Sequence, residues 1–443
     1  METLLIILQL LVVLAMIFIG AKVGSIGLGI YGMVGVFILV FCFGLEPGII
    51  PVDVMLIIVS VITASAALQA AGGLDYMVQI AAKILRRHPS RITFYAPFVT
   101  WLFCFLAGTA HTCYALLPII SEIAYKEKVR PERPLSVATI AASLGITGSP
   151  VSAATAAVIS QSLLGGAGIG IKEIMIITVP ASLIAIFVAA LVQNFVGKPL
   201  EQDPEYQRRV REGLINPEAE ATKNEETERN PRAKWAVLAF LLGVLLVVLF
   251  GSIPAMRPQF HGEAMNMNYI IEITMMSIAA LILLVGKADV REAVKGNVFA
   301  SGMNAMVSIF GVAWMGSTFF LGNQEVIMGS VAGVFTSWPI LFGIPLFLMS
   351  IMLFSQAATV KTLYPVGLAL GVPPHILLVL FPTVNGYFFL PNYPTEVAAI
   401  GFDRTGTTHI GKYVINHSFQ LAGFITTFVS IGVGYLLSLL MIC

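Results

Sequence analysis

Apolar stretches of about 20 residues, the length a helix needs to cross a hydrocarbon core of about 30 Å, recur along this chain from Leu4 to Leu440. Lipid is therefore the solvent that most of the chain must satisfy. The composition agrees: of 443 residues, 57% are hydrophobic and 11% charged, against roughly a quarter charged in an ordinary soluble domain. Strands of alternating polarity are absent, which excludes an outer-membrane barrel. The reading is an all-α polytopic membrane protein. The first run, Leu4 to Ile19, has no basic stretch before it and no A-x-A-like site after it, so it is read as a retained span. A net charge of +1 with the basic residues in short loops points away from nucleic acid. Cys42, Cys104, Cys113 and Cys443 lack metal-ligand spacing and read as small buried hydrophobes, with no metal site and no cofactor implied.

Loop charge sets the topology. Lys83, Arg86, Arg87 and Arg91 crowd one loop, and Lys126, Lys128, Arg130 and Arg133 the next; the positive-inside rule places both in the cytoplasm. The apolar segment 92–125 between them is broken at Ala107-Gly108-Thr109-Ala110-His111-Thr112, so it is expected to enter as a helical hairpin and turn back. Segment 135–160 then crosses outward with an interruption at Thr147-Gly148-Ser149-Pro150, and Glu173 to Val196 returns. Residues 198–234 hold eight Lys/Arg, nine Asp/Glu and four prolines, a composition expected to form a cytoplasmic linker without a core. Beyond it come spans at Trp235 to Phe250, Tyr269 to Val285 and Val298 to Phe320. A second hairpin, 339–370, is broken at Ser355-Gln356-Ala357-Ala358-Thr359, and a second interrupted crossing, 375–402, at Pro391-Asn392-Tyr393-Pro394-Thr395; Tyr413 to Leu440 is the last span. Both termini come out periplasmic.

Each half, 1–197 and 235–443, thus reads as three spans, a hairpin, a broken helix and a final span, and an odd number of crossings turns the second copy upside down. Paired interruptions in corresponding halves point to a transporter site near the midplane. Half-helices that begin at membrane depth offer unpaired N–H groups and a partial positive charge to a carboxylate. The binding candidates are Thr109, His111 and Thr112 at the first tip, Thr147, Ser149 and Ser152 in the first broken helix, Ser355, Gln356 and Thr359 at the second tip, and Asn392 and Thr395 in the second broken helix. Close helix packing is the competing reason for small polar residues in such places.

Four stretches resemble a known family: Gly72-Gly73-Leu74-Asp75 leading to Leu85-Arg86-Arg87, Ser355 to Thr359, Leu390 to Thr395, and Asp403-Arg404-Thr405-Gly406-Thr407-Thr408-His409-Ile410-Gly411. They look like the anaerobic C4-dicarboxylate transporters of the Dcu A/B type, over essentially the whole chain. The resemblance implies fumarate/succinate antiport and uptake of malate, fumarate or aspartate by alternating access in a bacterial inner membrane. It also implies membership of a wider group of ion-coupled transporters built from inverted repeats, and a membrane sensor kinase as a partner in some relatives; self-association stays open.

Charged residues at membrane depth are costly and functional by default. Lys361, two residues past the second tip, is read as counter-ion to a substrate carboxylate, with snorkelling toward the periplasm as the alternative. His111 donates to the other carboxylate, titrates, or caps a helix. Glu396 holds a coupling proton or cation, or pairs with Lys361 or Arg404. Asp75 is expected to cap a helix that restarts inside the span. H-E-x-x-H, G-x-S-x-G and P-loop motifs are absent, which leaves nucleophilic and metal chemistry without its parts. The rival reading is a cation/proton antiporter of related inverted-repeat architecture, with Glu396 as the carboxylate it would need.

Overall fold

A computed structural model describes residues 2–23, 26–50, 52–110, 112–215, 230–260, 263–353, 355–390, 393–411 and 416–441. Lipid cannot satisfy peptide groups, so apolar sequence of this length closes its hydrogen bonds within helices. Among the described residues seven helices are long and apolar enough to cross a membrane, and a bent pair brings the number to eight. The chain is an all-α polytopic membrane protein.

The first half runs α1 (Glu2–Val23), α2 (Gly27–Phe37), α3 (Val52–Ala70), α4 (Gly73–Leu85), α5 (Ile92–Ala107), α6 (Thr112–Lys126), α7 (Glu132–Gly148), α8 (Ala153–Val158) and α9 (Ile171–Gln193). After α10 (Pro204–Arg211) come α11 (Ala233–Ser252), α12 (Met267–Gly286), α13 (Val290–Lys295), α14 (Asn297–Gly322), α15 (Gln324–Ser337), α16 (Gly343–Leu353), α17 (Gln356–Ala369), α18 (Pro374–Val379), α19 (Pro394–Phe402) and α20 (Gln420–Met441). A two-stranded ribbon, Gln259–Phe260 with Glu263–Ala264, sits between α11 and α12.

Pairing follows a pattern. α2 packs along α14 and α3 along α12; α1 lies on α2 as α11 lies on α12; α9 packs along α20. The α2–α14 crossing is so tight that a Cβ on Gly311 would lie 1.9 Å from Gly29 O, the close backbone approach that small residues permit in membranes. The segment α7–α8 is the deepest, with 89% of its apolar window buried. It is surrounded by α5, α9 and the broken segment of the other half.

Several expectations change. α3 and α4 meet at a 72° bend, and α4 does restart at Gly73, but its N-cap is Gly72 with no side-chain hydrogen bond, so Asp75 is a first-turn residue and not the cap. Helix α15 was not expected; it lies in what reads as a turn before the second hairpin. The last helix begins at Gln420 and not at Tyr413, because Ile410 and His417 close a small antiparallel bridge first. Cys104 and Cys113 are buried as expected, whereas Cys42 is exposed.

The linker also differs from expectation over its described first part. Leu200, Asp203 and Ile215 are buried, and α10 is docked on the rest of the protein. Arg130 explains this. Its guanidinium pairs with both Glu132 and Asp203, while Asp203 caps α10 by accepting from Glu205 N and Tyr206 N. Arg209 of α10 donates to Arg404 O at 2.9 Å. Burial would raise the Asp203 carboxyl, but the bonds from Tyr206 N, Arg130 and Glu205 N outweigh it and hold the group below its ordinary value.

Candidate functional site

The candidate site gathers the breaks between α5 and α6, α7 and α8, α16 and α17, and α18 and α19, and proline, glycine and hydroxyl residues explain each break. α5 ends at Gly108, whose φ of +67° is a left-handed conformation and whose Cβ would come 2.6 Å from Val151 O. The first tip therefore touches the interruption between α7 and α8. There Ser149 and Ser152 are extended, Pro150 lies between them, and Ser152 Oγ caps α8 by accepting from Thr155 N at 3.1 Å. Thr147 Oγ1 donates back to Leu144 O, and Thr155 Oγ1 donates to Thr147 O.

The second tip is built by Ser355, which caps α17 by accepting from Ala358 N at 3.2 Å. Thr359 donates both its N–H and its hydroxyl to Ser355 O. Gln356 is the node. Its Nε2 donates to Ser143 O of α7 at 2.9 Å, to Asn385 Oδ1, and to Tyr387 OH at 3.2 Å. One amide thus ties the second hairpin to both broken helices. In the second broken helix α18 gives way at Phe381–Phe389 to a 3₁₀ stretch with Asn385 out of helical geometry, and α19 starts at Pro394. The first arm, α16, holds this stretch through Ser350 Oγ, which accepts from Gly386 N and donates to Thr383 O.

Lys361 and Glu396 do not pair. Lys361 Nζ donates to Ser160 Oγ at 3.2 Å, just past the end of α8, where a cation suits the partial negative charge of helix carbonyls. Glu396 lies in the first turn of α19, 1% exposed, and its Oε2 has no hydrogen-bond partner among the described residues. Tyr387 and Tyr393 stack beside it with ring centroids 4.1 Å apart. Gln356 Oε1 and Thr112 Oγ1 are likewise buried without a partner.

Of the expected residues, the structure joins Gln356 to Ser143, Asn385 and Tyr387, links Thr147 and Ser152 through Thr155, and buries Ser149, Thr359 and Thr395. Thr109 sits half-buried at the first tip. His111 and Asn392 lie outside the described residues. Ser143, Ser160, Asn385 and Tyr387 were not singled out from the sequence, although Asn385-Gly386 after Pro382 is a turn signal inside an apolar run.

The run Asp403 to His409 has a different task. Asp403 accepts from Thr405 N and Oγ1, from Thr407 Oγ1 and from Thr408 N. Thr407 Oγ1 also accepts from Glu132 N, and Ser418 Oγ donates to Glu132 Oε1. This loop clamps the start of α7 to the start of α20.

Comparison with known proteins bears directly on the family. Residues 5–442 match the family model described as anaerobic C4-dicarboxylate membrane transporter. The chain is 40% identical over 437 residues to the anaerobic C4-dicarboxylate transporter DcuB of Escherichia coli O6:H1, covering 97% of each chain. It is 39% identical over 431 residues to the C4-dicarboxylate transporter DcuA of Wolinella succinogenes, covering 97% of this chain and 98% of that one. Among solved structures it is similar to the YdaH transporter of Alcanivorax borkumensis, with a TM-score of 0.52 at 15% identity over 86% of this chain and 84% of that one; this likeness concerns the fold alone. The chain is a multi-pass membrane transporter and not an enzyme, and it belongs to the anaerobic C4-dicarboxylate membrane transporter family.

Proposed function

We infer that this protein carries C4-dicarboxylates across a bacterial inner membrane by alternating access, exchanging fumarate for succinate and taking up malate, fumarate or aspartate. The observation that carries the reading is the convergence at Gln356, where the start of α17 meets α7 and the 3₁₀ stretch. In a helix start the first N–H groups lack intrahelical acceptors. Ser355 takes those of Ala358 and Thr359, which leaves Gln356 N and Ala357 N as donors for one carboxylate. Lys361, held by Ser160, supplies the fixed positive charge that a dianion needs in a low-dielectric site. The hydroxyl of Thr112, buried at the start of α6, is the donor from the first hairpin.

The two halves, 1–197 and 235–443, act as inverted repeats with hairpins 92–125 and 339–370 entering from opposite faces. The pairing pattern supports this. Exchanging α2 with α12 and α3 with α14 converts the contact of α3 with α12 into that of α14 with α2. Contacts of α6 with α19 and of α17 with α8 are exchanged by the same operation. The termini are periplasmic on this reading, since Arg86, Lys126, Arg130 and the linker helix share one charged face.

Purified protein reconstituted in succinate-loaded liposomes should take up labelled fumarate faster than empty liposomes do. Equal uptake with and without internal succinate would reject exchange.

A further inference from the structure

We propose that Glu396 is the proton-binding group of this transporter, taking up one proton when the dicarboxylate binds and releasing it on the opposite side. The inference rests on the dicarboxylate reading above and adds the ion that accompanies the substrate.

The geometry comes first. Glu396 is 1% exposed and its Oε2 meets no donor among the described residues. The backbone N–H of Tyr393 reaches the carboxyl, but no cation among the described residues pairs with it and Oε2 is left bare, so a negative charge placed here costs several kcal/mol. α19 packs on α6 and α7, and neither helix brings it a counter-charge. On α6, Glu122 pairs with Arg86 and Lys126. On α7, Glu132 pairs with Arg130, and Arg133 donates to Val196 O and Gly197 O. The titratable groups within electrostatic reach are Tyr387 and Tyr393, with Tyr114 of α6 beyond Tyr393 and Cys104 of α5 beyond Tyr387. A hard metal cation takes about six oxygens; one carboxylate near two stacked phenols is a better seat for a proton.

The coupling follows from charge. Tyr387 accepts from Gln356 and is within electrostatic reach of Glu396, so the substrate site and Glu396 share one poorly solvated neighbourhood. A dianion entering it disfavours the carboxylate and favours the acid, and by reciprocity a protonated Glu396 favours the dianion. When the site opens to the other face, water reaches Glu396, the O–H bond is broken, the proton leaves as hydronium and the carboxylate is hydrated. No other reactant is needed.

The test uses the full chain in liposomes with an imposed pH gradient. Each coupled proton allows about tenfold accumulation of fumarate per pH unit. Glu396→Gln should lose that accumulation, while its fumarate/succinate counterflow persists and no longer varies with pH. Glu396→Asp should keep both. Gradient-driven accumulation by Glu396→Gln, or its rescue by a sodium gradient, would overturn the proposal, and so would loss of counterflow in that variant. Should Glu396→Gln not fold, wild-type protein binding succinate in lightly buffered solution decides: uptake of one proton per succinate supports the assignment, and uptake of none contradicts it. Absence of counterflow in the wild type would instead sink the dicarboxylate reading itself.

Discussion

Two polar regions of this molecule are both buried, and they are finished differently. In the clamp around Arg130 and Glu132 each carboxylate oxygen of Glu132, Asp203 and Asp403 has a donor: Ser418 and Arg130 for Glu132, the α10 amides and Arg130 for Asp203, and the threonine loop for Asp403. At the helix breaks Glu396 Oε2, Gln356 Oε1 and Thr112 Oγ1 have none among the described residues. Buried polar groups are normally satisfied, so a cluster whose carboxylates are all bonded is scaffold even with Thr408 Oγ1 left over, and an unpaired carboxylate oxygen is where a ligand or a proton completes the set. The clamp fixes the start of α7 against α20 and the linker, and the open cluster lies where the half-helices begin.

Replacing Arg130 by Ala should have the largest effect on stability. It strands two buried carboxylates, a loss of about 3 to 5 kcal/mol, read as a fall in the thermal unfolding midpoint of detergent-solubilised protein. Glu396→Gln replaces an oxygen that has no partner and keeps an acceptor for Tyr393 N, so it should not lower that midpoint; equal losses for the two variants would erase the distinction between the regions. Gln356→Leu is intermediate. It leaves Ser143 O, Asn385 and Tyr387 short of a donor, about 1 to 3 kcal/mol, and should weaken succinate affinity more than it weakens folding, as titration calorimetry beside a melting curve would reveal.

The smallest effect is set by pH. Asp203 has a folded-state pKa held below its unfolded value, so its contribution to stability is complete above about pH 4 and is lost as pH falls through the folded value. Acid should thus release α10 from the clamp only below about pH 4, seen as protease sensitivity near Arg209. Release in the neutral range would mean that Asp203 is not held by Arg130.

Much of the membrane architecture was legible because lipid imposes a simple rule. Apolar length marks a helix, and Gly, Pro, Ser and Thr inside it mark a break, so the interruptions at Gly108, Ser149 and Ser355 could be placed from residue types. The partners of those breaks could not. Ser143 contributes a backbone carbonyl from regular helix, which carries no sequence mark. Asn385 and Tyr387 sit in a run whose apolar neighbours hide them, and Lys361 reaches Ser160 across 201 positions. The clamp escaped for a related reason: Glu132 and Ser418 are 286 positions apart, and a charged linker reads as solvated unless its tertiary partner is known.

The central claim is that both hairpin tips face one dicarboxylate site, and substrate protection tests it most directly. Thr109 and Ser355 are both half-buried, so single cysteines there, in a background without the native cysteines, should react slowly with a small maleimide. Succinate should slow both reactions together, at the same half-saturating concentration. Protection at one tip alone, or at neither, would contradict a shared site.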